Sequence, residues 1–130
     1  MSVEMRRRIF RHFADTGGPP ELAPAELAAL AAEHAVVLDD EGRIAFANPF
    51  ATGPAAYRVA TDARTYAAVC VWDALGIAAA LGADARVETR CPDCGDPLEL
   101  EVPDGELAPT ETIVHFLVPA SHWYDDLAFT

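Results

Sequence analysis

Apolar residues recur along the chain with two distinct periods, and the changes between them mark its elements. Met5, Ile9 and Phe13 stand at i, i+4, i+8 among arginines between Ser2 and Asp15, which predicts a first helix. Gly17-Gly18-Pro19-Pro20 ends it. Pro24-Ala25-Glu26 then opens a run with Leu27, Leu30, Ala31 and His34 at i, i+3, i+4, i+7, a second helix burying one stripe. From Ala35 the period shortens. Ala35 to Leu38 and Arg43 to Ala47 flank Asp39-Asp40-Glu41-Gly42 and predict a hairpin, while Tyr57 to Ala60 and Thr65 to Val69 flank Thr61-Asp62-Ala63-Arg64 and predict another. Val71 to Leu81, rich in Ala and Leu, reads as a helix closed by Gly82 in the C-cap position. Ala85 to Thr89, Pro97 to Val102 and Thr112 to Val118 alternate as strands.

This order predicts an α+β fold: an abbreviated winged-helix-like module over residues 1–48, a linker over 49–56, and a core over 57–130. The core is a mainly antiparallel sheet with one helix packed on it. At 130 residues and 52% hydrophobic, the chain is long enough for one compact core. Charge narrows the choice of partners. The formal net charge is −12 and all nine basic residues are arginine, a balance that phosphate backbones repel, so nucleic acid is not expected as a partner. Arg6, Arg7, Arg8 and Arg11 cluster locally and read as a solvated helix face. No run approaches the roughly 20 apolar residues that cross a bilayer, and arginines occupy the place of a signal peptide's apolar region. A cytoplasmic protein without membrane contact is expected.

Three cysteines, Cys70, Cys91 and Cys94, make an odd count without an export signal, which favours reduced thiols over a disulfide framework. Cys70 falls at a strand-to-helix junction. In Cys70-Val71-Trp72-Asp73 the i, i+3 spacing turns thiol and carboxylate toward one small site. A helix N-terminus lowers a thiol pKa, and a soft thiolate suits a soft metal, with the aspartate beside it as proton acceptor and donor. The same quartet also reads as a structural cysteine beside an N-terminal aspartate. Cys91-Pro92-Asp93-Cys94-Gly95 has the spacing of a metal knuckle, which supplies two of the four ligands that a structural zinc needs. His115, His122, Cys70 or a second subunit would have to complete it; a plain turn with two thiols is the alternative. His12 and His34 read as surface or cap residues, and His115 as a core histidine in a strand. Trp72 and Trp123 could wall an apolar pocket or simply fill the core.

The run Tyr57-Arg-Val-Ala-Thr-Asp62-Ala-Arg64-Thr-Tyr66-Ala-Ala-Val-Cys70-Val-Trp-Asp73-Ala-Leu resembles the core of the organomercurial (alkylmercury) lyases. The resemblance continues in order through Leu81-Gly82-Ala-Asp-Ala-Arg86-Val87-Glu-Thr-Arg-Cys91-Pro-Asp-Cys94-Gly95, Val114-His-Phe-Leu-Val-Pro119 and Ala128-Phe129. It implies an enzyme that cleaves carbon-mercury bonds without a cofactor, Hg(II) remaining as bound product. Cys70 would bind mercury and Asp73 would carry the thiol proton to the departing carbanion, with Trp72 and Phe129 in the substrate pocket. An organomercurial is the implied substrate, and a mercuric reductase the implied acceptor of the metal. The family's second catalytic cysteine falls on Thr130, and Cys94 is an addition to its usual pattern. The resemblance therefore implies either a natural protein that continues past Thr130 to supply a thiol or selenol, or a reduced relative. Two other functions fit the residues: a thiol-based heavy-metal chaperone or sensor without turnover, and a winged-helix regulator with an appended metal domain, which the acidic charge disfavours.

Overall fold

The computed structural model describes residues 3–126. Helix α1 (Val3–Thr16) buries Ile9 and Phe13 and leaves Arg6, Arg7, Arg8 and Arg11 exposed, as the spacing of its apolar residues dictates. Helix α2 (Pro24–Ala32) begins with proline in its first turn, where the missing N–H costs nothing, and the Glu26 carboxylate accepts the Ala23 N–H at 3.0 Å. Its stripe is shorter than expected. Leu30 is buried and Leu27 and Ala31 half-buried, but the helix ends at Ala32, so His34 lies beyond it, exposed and at φ 54°.

Among the described residues, seven short strands form one sheet in which every neighbour is antiparallel: β1 (Val37–Leu38), β2 (Ile44–Ala47), β3 (Phe50–Ala51), β4 (Tyr57–Thr61), β5 (Thr65–Ala68), β6 (Ala85–Arg90) and β7 (Pro97–Val102). Their order is β1-β2-β3-β5-β4-β6-β7. Both predicted hairpins are present, β1-β2 and β4-β5.

Phe50–Ala51, read as part of a linker, is the strand that joins the first hairpin to the rest of the sheet, pairing with β2 on one side and β5 on the other. A two-residue strand has too few positions to show a period. Thr112 to Val118 alternates in sequence but forms no strand. No described strand pairs with it, and Ile113 is 89% and Leu117 63% exposed. His115, expected in the core, is exposed with that segment.

Helix α3 (Val71–Leu81) lies on the sheet through Ala74, Ile77 and Ala78, all fully buried, and contacts β4, β5 and β6. Small side chains on this face let the helix sit close to the strands. Gly82 ends the helix in the left-handed conformation (φ 59°), the predicted glycine C-cap. The core is continuous from α1 to β7. Phe50 is its aromatic hub: its ring stacks on Phe13 at 4.9 Å and meets Phe10 at 5.2 Å and Tyr66 at 5.6 Å. Phe50→Ala should therefore destabilise the protein by about 3–5 kcal/mol, read as a lower denaturant midpoint with little change in slope.

Candidate functional site

β5 carries the chain to the rim of the sheet, and Cys70 turns it into α3. Cys70 is extended (φ −143°, ψ 176°) and acts as the helix N-cap, its carbonyl accepting the Ala74 N–H at 2.9 Å. The Cys70 sulfur takes the place usually filled by a serine or aspartate oxygen and accepts the Asp73 N–H at 3.5 Å. The same turn of helix brings the Asp73 carboxylate back, so that the Cys70 thiol faces its Oδ2 at 3.6 Å. The i, i+3 spacing thus unites the two groups expected to do chemistry.

Their electrostatics differ from the expectation of a ready thiolate. Burial pushes the Cys70 thiol up; the Asp73 N–H opposes this, while the negative charge of Asp73 reinforces it. Burial also pushes the Asp73 carboxyl up, with the hydrogen bond from Cys70 pulling the other way. Desolvation outweighs the helix N-terminus. In the resting site the sulfur holds its proton, aimed at the nearest base.

Cys70 and Asp73 open into a cavity of about 60 Å³ walled by Trp72, Phe116, Trp123, Val69 and Asn48. Phe116 and Trp123 pack against each other at 5.2 Å, and the Trp123 indole N–H donates to the Val118 carbonyl at 3.0 Å. Trp72 is 65% exposed, so it walls a pocket rather than filling the core. Phe129, the other expected pocket residue, lies outside the described residues, as does Thr130.

Cys91 and Cys94 occupy the turn between β6 and β7. Cys91 N–H donates to the Asp96 carbonyl and Gly95 N–H to the Cys91 carbonyl, each at 2.8 Å, with Gly95 at φ 77°. Hydrogen bonding from the backbone N–H groups of Cys94 and Asp93 and from the Cys94 side chain holds the Cys91 thiol pKa down. Among the described residues no group of three or more His, Cys, Asp or Glu could hold a metal ion. His115 is exposed elsewhere and His122 Nδ1 pairs with Asp125 Oδ2 at 2.9 Å. The knuckle therefore lacks the third and fourth ligands that a structural zinc takes, and the zinc expectation is not supported.

A family model for alkylmercury lyase matches residues 50–130, more than half of the chain. The chain belongs to the alkylmercury lyase family. It is similar to the crystal structure of the mercury-bound form of MerB2, with a TM-score of 0.67 and 26% sequence identity over 84% of this chain and 59% of that one. The chain thus spans about three fifths of that relative's length. No curated protein matches it. No described helix is long and apolar enough to cross a membrane.

Within this family framework, sequence reading missed Asn48, Val69 and Phe116 as cavity walls. Asn48 and Phe116 come from segments far from Cys70 in the chain, and only tertiary folding makes them neighbours. The opposite pKa directions of two thiols give a direct check. Under reducing conditions near neutral pH, iodoacetamide should label Cys91 well before Cys70, as followed by peptide mass spectrometry. Equal labelling rates would mean that Cys70 is neither desolvated nor protonated as described.

Proposed function

We propose that this protein cleaves carbon-mercury bonds by protonolysis, with Cys70 as mercury ligand and Asp73 as proton carrier. The observation that carries the reading is the 3.6 Å contact between the Cys70 thiol and the Asp73 carboxylate beside an aromatic-walled cavity. The alkylmercury lyase family match and the likeness to a mercury-bound relative support the substrate class.

The steps follow from this geometry. An organomercurial cation meets a neutral thiol. As the sulfur-mercury bond forms, the thiol proton passes to the Asp73 carboxylate, which burial has made a better base than a solvated aspartate. Asp73, now neutral, returns the proton to the carbon bound to mercury. The carbon-mercury bond breaks, its electron pair goes to the new C–H bond, and hydrocarbon leaves with Hg(II) still on Cys70. No redox change occurs. Phe116, Trp72 and Trp123 exclude water from the hydrocarbon side, so that the proton comes from Asp73.

Residues 1–48 are read as an abbreviated winged-helix-like module, which the order of α1, α2 and a hairpin supports. A cytoplasmic setting, with a mercuric reductase as eventual acceptor of Hg(II), completes the reading. The test is to incubate the reduced protein with methylmercury and measure methane in the headspace. Methane above the buffer rate is expected; tight methylmercury retention without methane would leave a thiol-based mercury binder instead.

A further inference from the structure

Cys91 and Cys94 play no part in the cleavage, yet the sheet puts them beside it. Ala68 of β5 pairs with Tyr57 of β4, and Arg58 pairs with Glu88 of β6, so Ala68, Tyr57 and Thr89 lie in one row across three strands. The Thr89 hydroxyl, donating to the Ala56 carbonyl at 2.8 Å, fixes that register at the rim. Strands β5 and β6 both run antiparallel to β4 and so leave the sheet at the same end. Cys70 follows Ala68 by two residues and Cys91 follows Thr89 by two. Both therefore lie just past the same edge of the sheet, beyond strands that are two inter-strand spacings, or about 10 Å, apart. This is too far for one mercury atom to bridge, but close enough for a short transfer.

We propose that Cys91 and Cys94 form a second, dithiol site that takes the mercuric product from Cys70. The inference rests on the proposed cleavage for its source of mercury. Before cleavage the metal has one bond to carbon and can add only one thiolate at low coordination number. Once carbon has left, a second position opens. Two thiols three residues apart on one hydrogen-bonded turn then outcompete the lone Cys70, because closing the chelate is intramolecular. Soft thiolates on a soft ion supply the affinity, and two ligands suffice for mercury where zinc needs four.

The exchange balances without redox chemistry. Mercury on Cys70 carries one further ligand from solution. Both thiols of the pair give up protons as two sulfur-mercury bonds form. One proton goes to the Cys70 sulfur as its bond to mercury breaks, and the other leaves with the solution ligand. Cys94 is exposed and Cys91 half-buried in this turn, so the metal ends where an external acceptor can reach it.

The experiment adds one equivalent of inorganic Hg(II) to the reduced protein, challenges it with excess glutathione, and maps protected thiols with iodoacetamide. Protection of Cys91 and Cys94 with Cys70 free is expected. Cys70→Ser should retain Hg(II) equally well, whereas the double variant Cys91→Ser/Cys94→Ser should lose about 10²-fold in retention, with Cys94→Ser alone close to it. Mercury found on Cys70 with the pair free, or undiminished retention by the double variant, overturns the proposal. A single turnover with phenylmercury separates this from the cleavage reading. Absent benzene is a failure of cleavage, and benzene released with mercury still on Cys70 is a failure of transfer.

Discussion

Replacing Cys70 by serine should abolish methylmercury capture at the cavity and hydrocarbon release with it. The hydroxyl is a hard, weakly acidic group that offers mercury little, and no other described cysteine lines this cavity. The fold should survive, because serine is a better helix N-cap than cysteine and can accept the same Asp73 N–H. Peptide mapping of bound methylmercury, alongside headspace methane, checks both parts. Mercury on the peptide that contains residue 70 of the variant, or methane at the unmodified rate, would remove Cys70 from the mechanism.

Asp73→Asn should divide capture from cleavage. Asparagine keeps the shape and the backbone N–H that caps onto Cys70, but cannot accept and return a proton. Positioned acid-base groups contribute on the order of 10²–10⁴ in rate, and hydrocarbon release should fall by about that factor while methylmercury retention stays close to that of the parent. Stability supplies an internal control, and its sign is fixed by the raised pKa of Asp73. A carboxyl whose pKa is higher folded than unfolded favours folding when protonated, and that contribution disappears as pH rises through the folded value. At neutral pH the buried charge is therefore a burden. The asparagine variant should be no less stable than the parent there, and its advantage should shrink in acid. A variant that loses hydrocarbon release and also unfolds early at neutral pH would contradict the electrostatics described for the pair.

Much of the scaffold around this site was legible in the chain. Gly82 announced the end of α3, the change of period at Val71 announced its start, and the three-residue step from Cys70 to Asp73 placed two side chains on one turn. What escaped reading depended on partners distant in sequence. Phe50 looked like linker because its strand is two residues long, and its meaning comes from Phe13 and Tyr66. Thr112 to Val118 looked like a strand because alternation records a period, not the presence of a neighbour to pair with. The thiol at Cys70 looked activated because the helix N-terminus is visible in sequence, whereas the desolvation that overrides it is a property of the folded surroundings. Asn48 and Phe116 gave no signal beyond residue type.

The buried Tyr66 hydroxyl donates to the Ala14 carbonyl at 2.6 Å, across 52 residues of sequence. That bond fastens the last turn of α1 to β5, the strand that leads to Cys70, and the Phe13–Phe50 stack lies beside it. Amide hydrogen exchange should report the two segments opening together, as one cooperative unit at a single free energy. The reactive pair would then belong to the slow-exchanging part of the molecule rather than to a fluctuating loop. Mercury would meet a sulfur whose alignment with its base lasts as long as the native state itself.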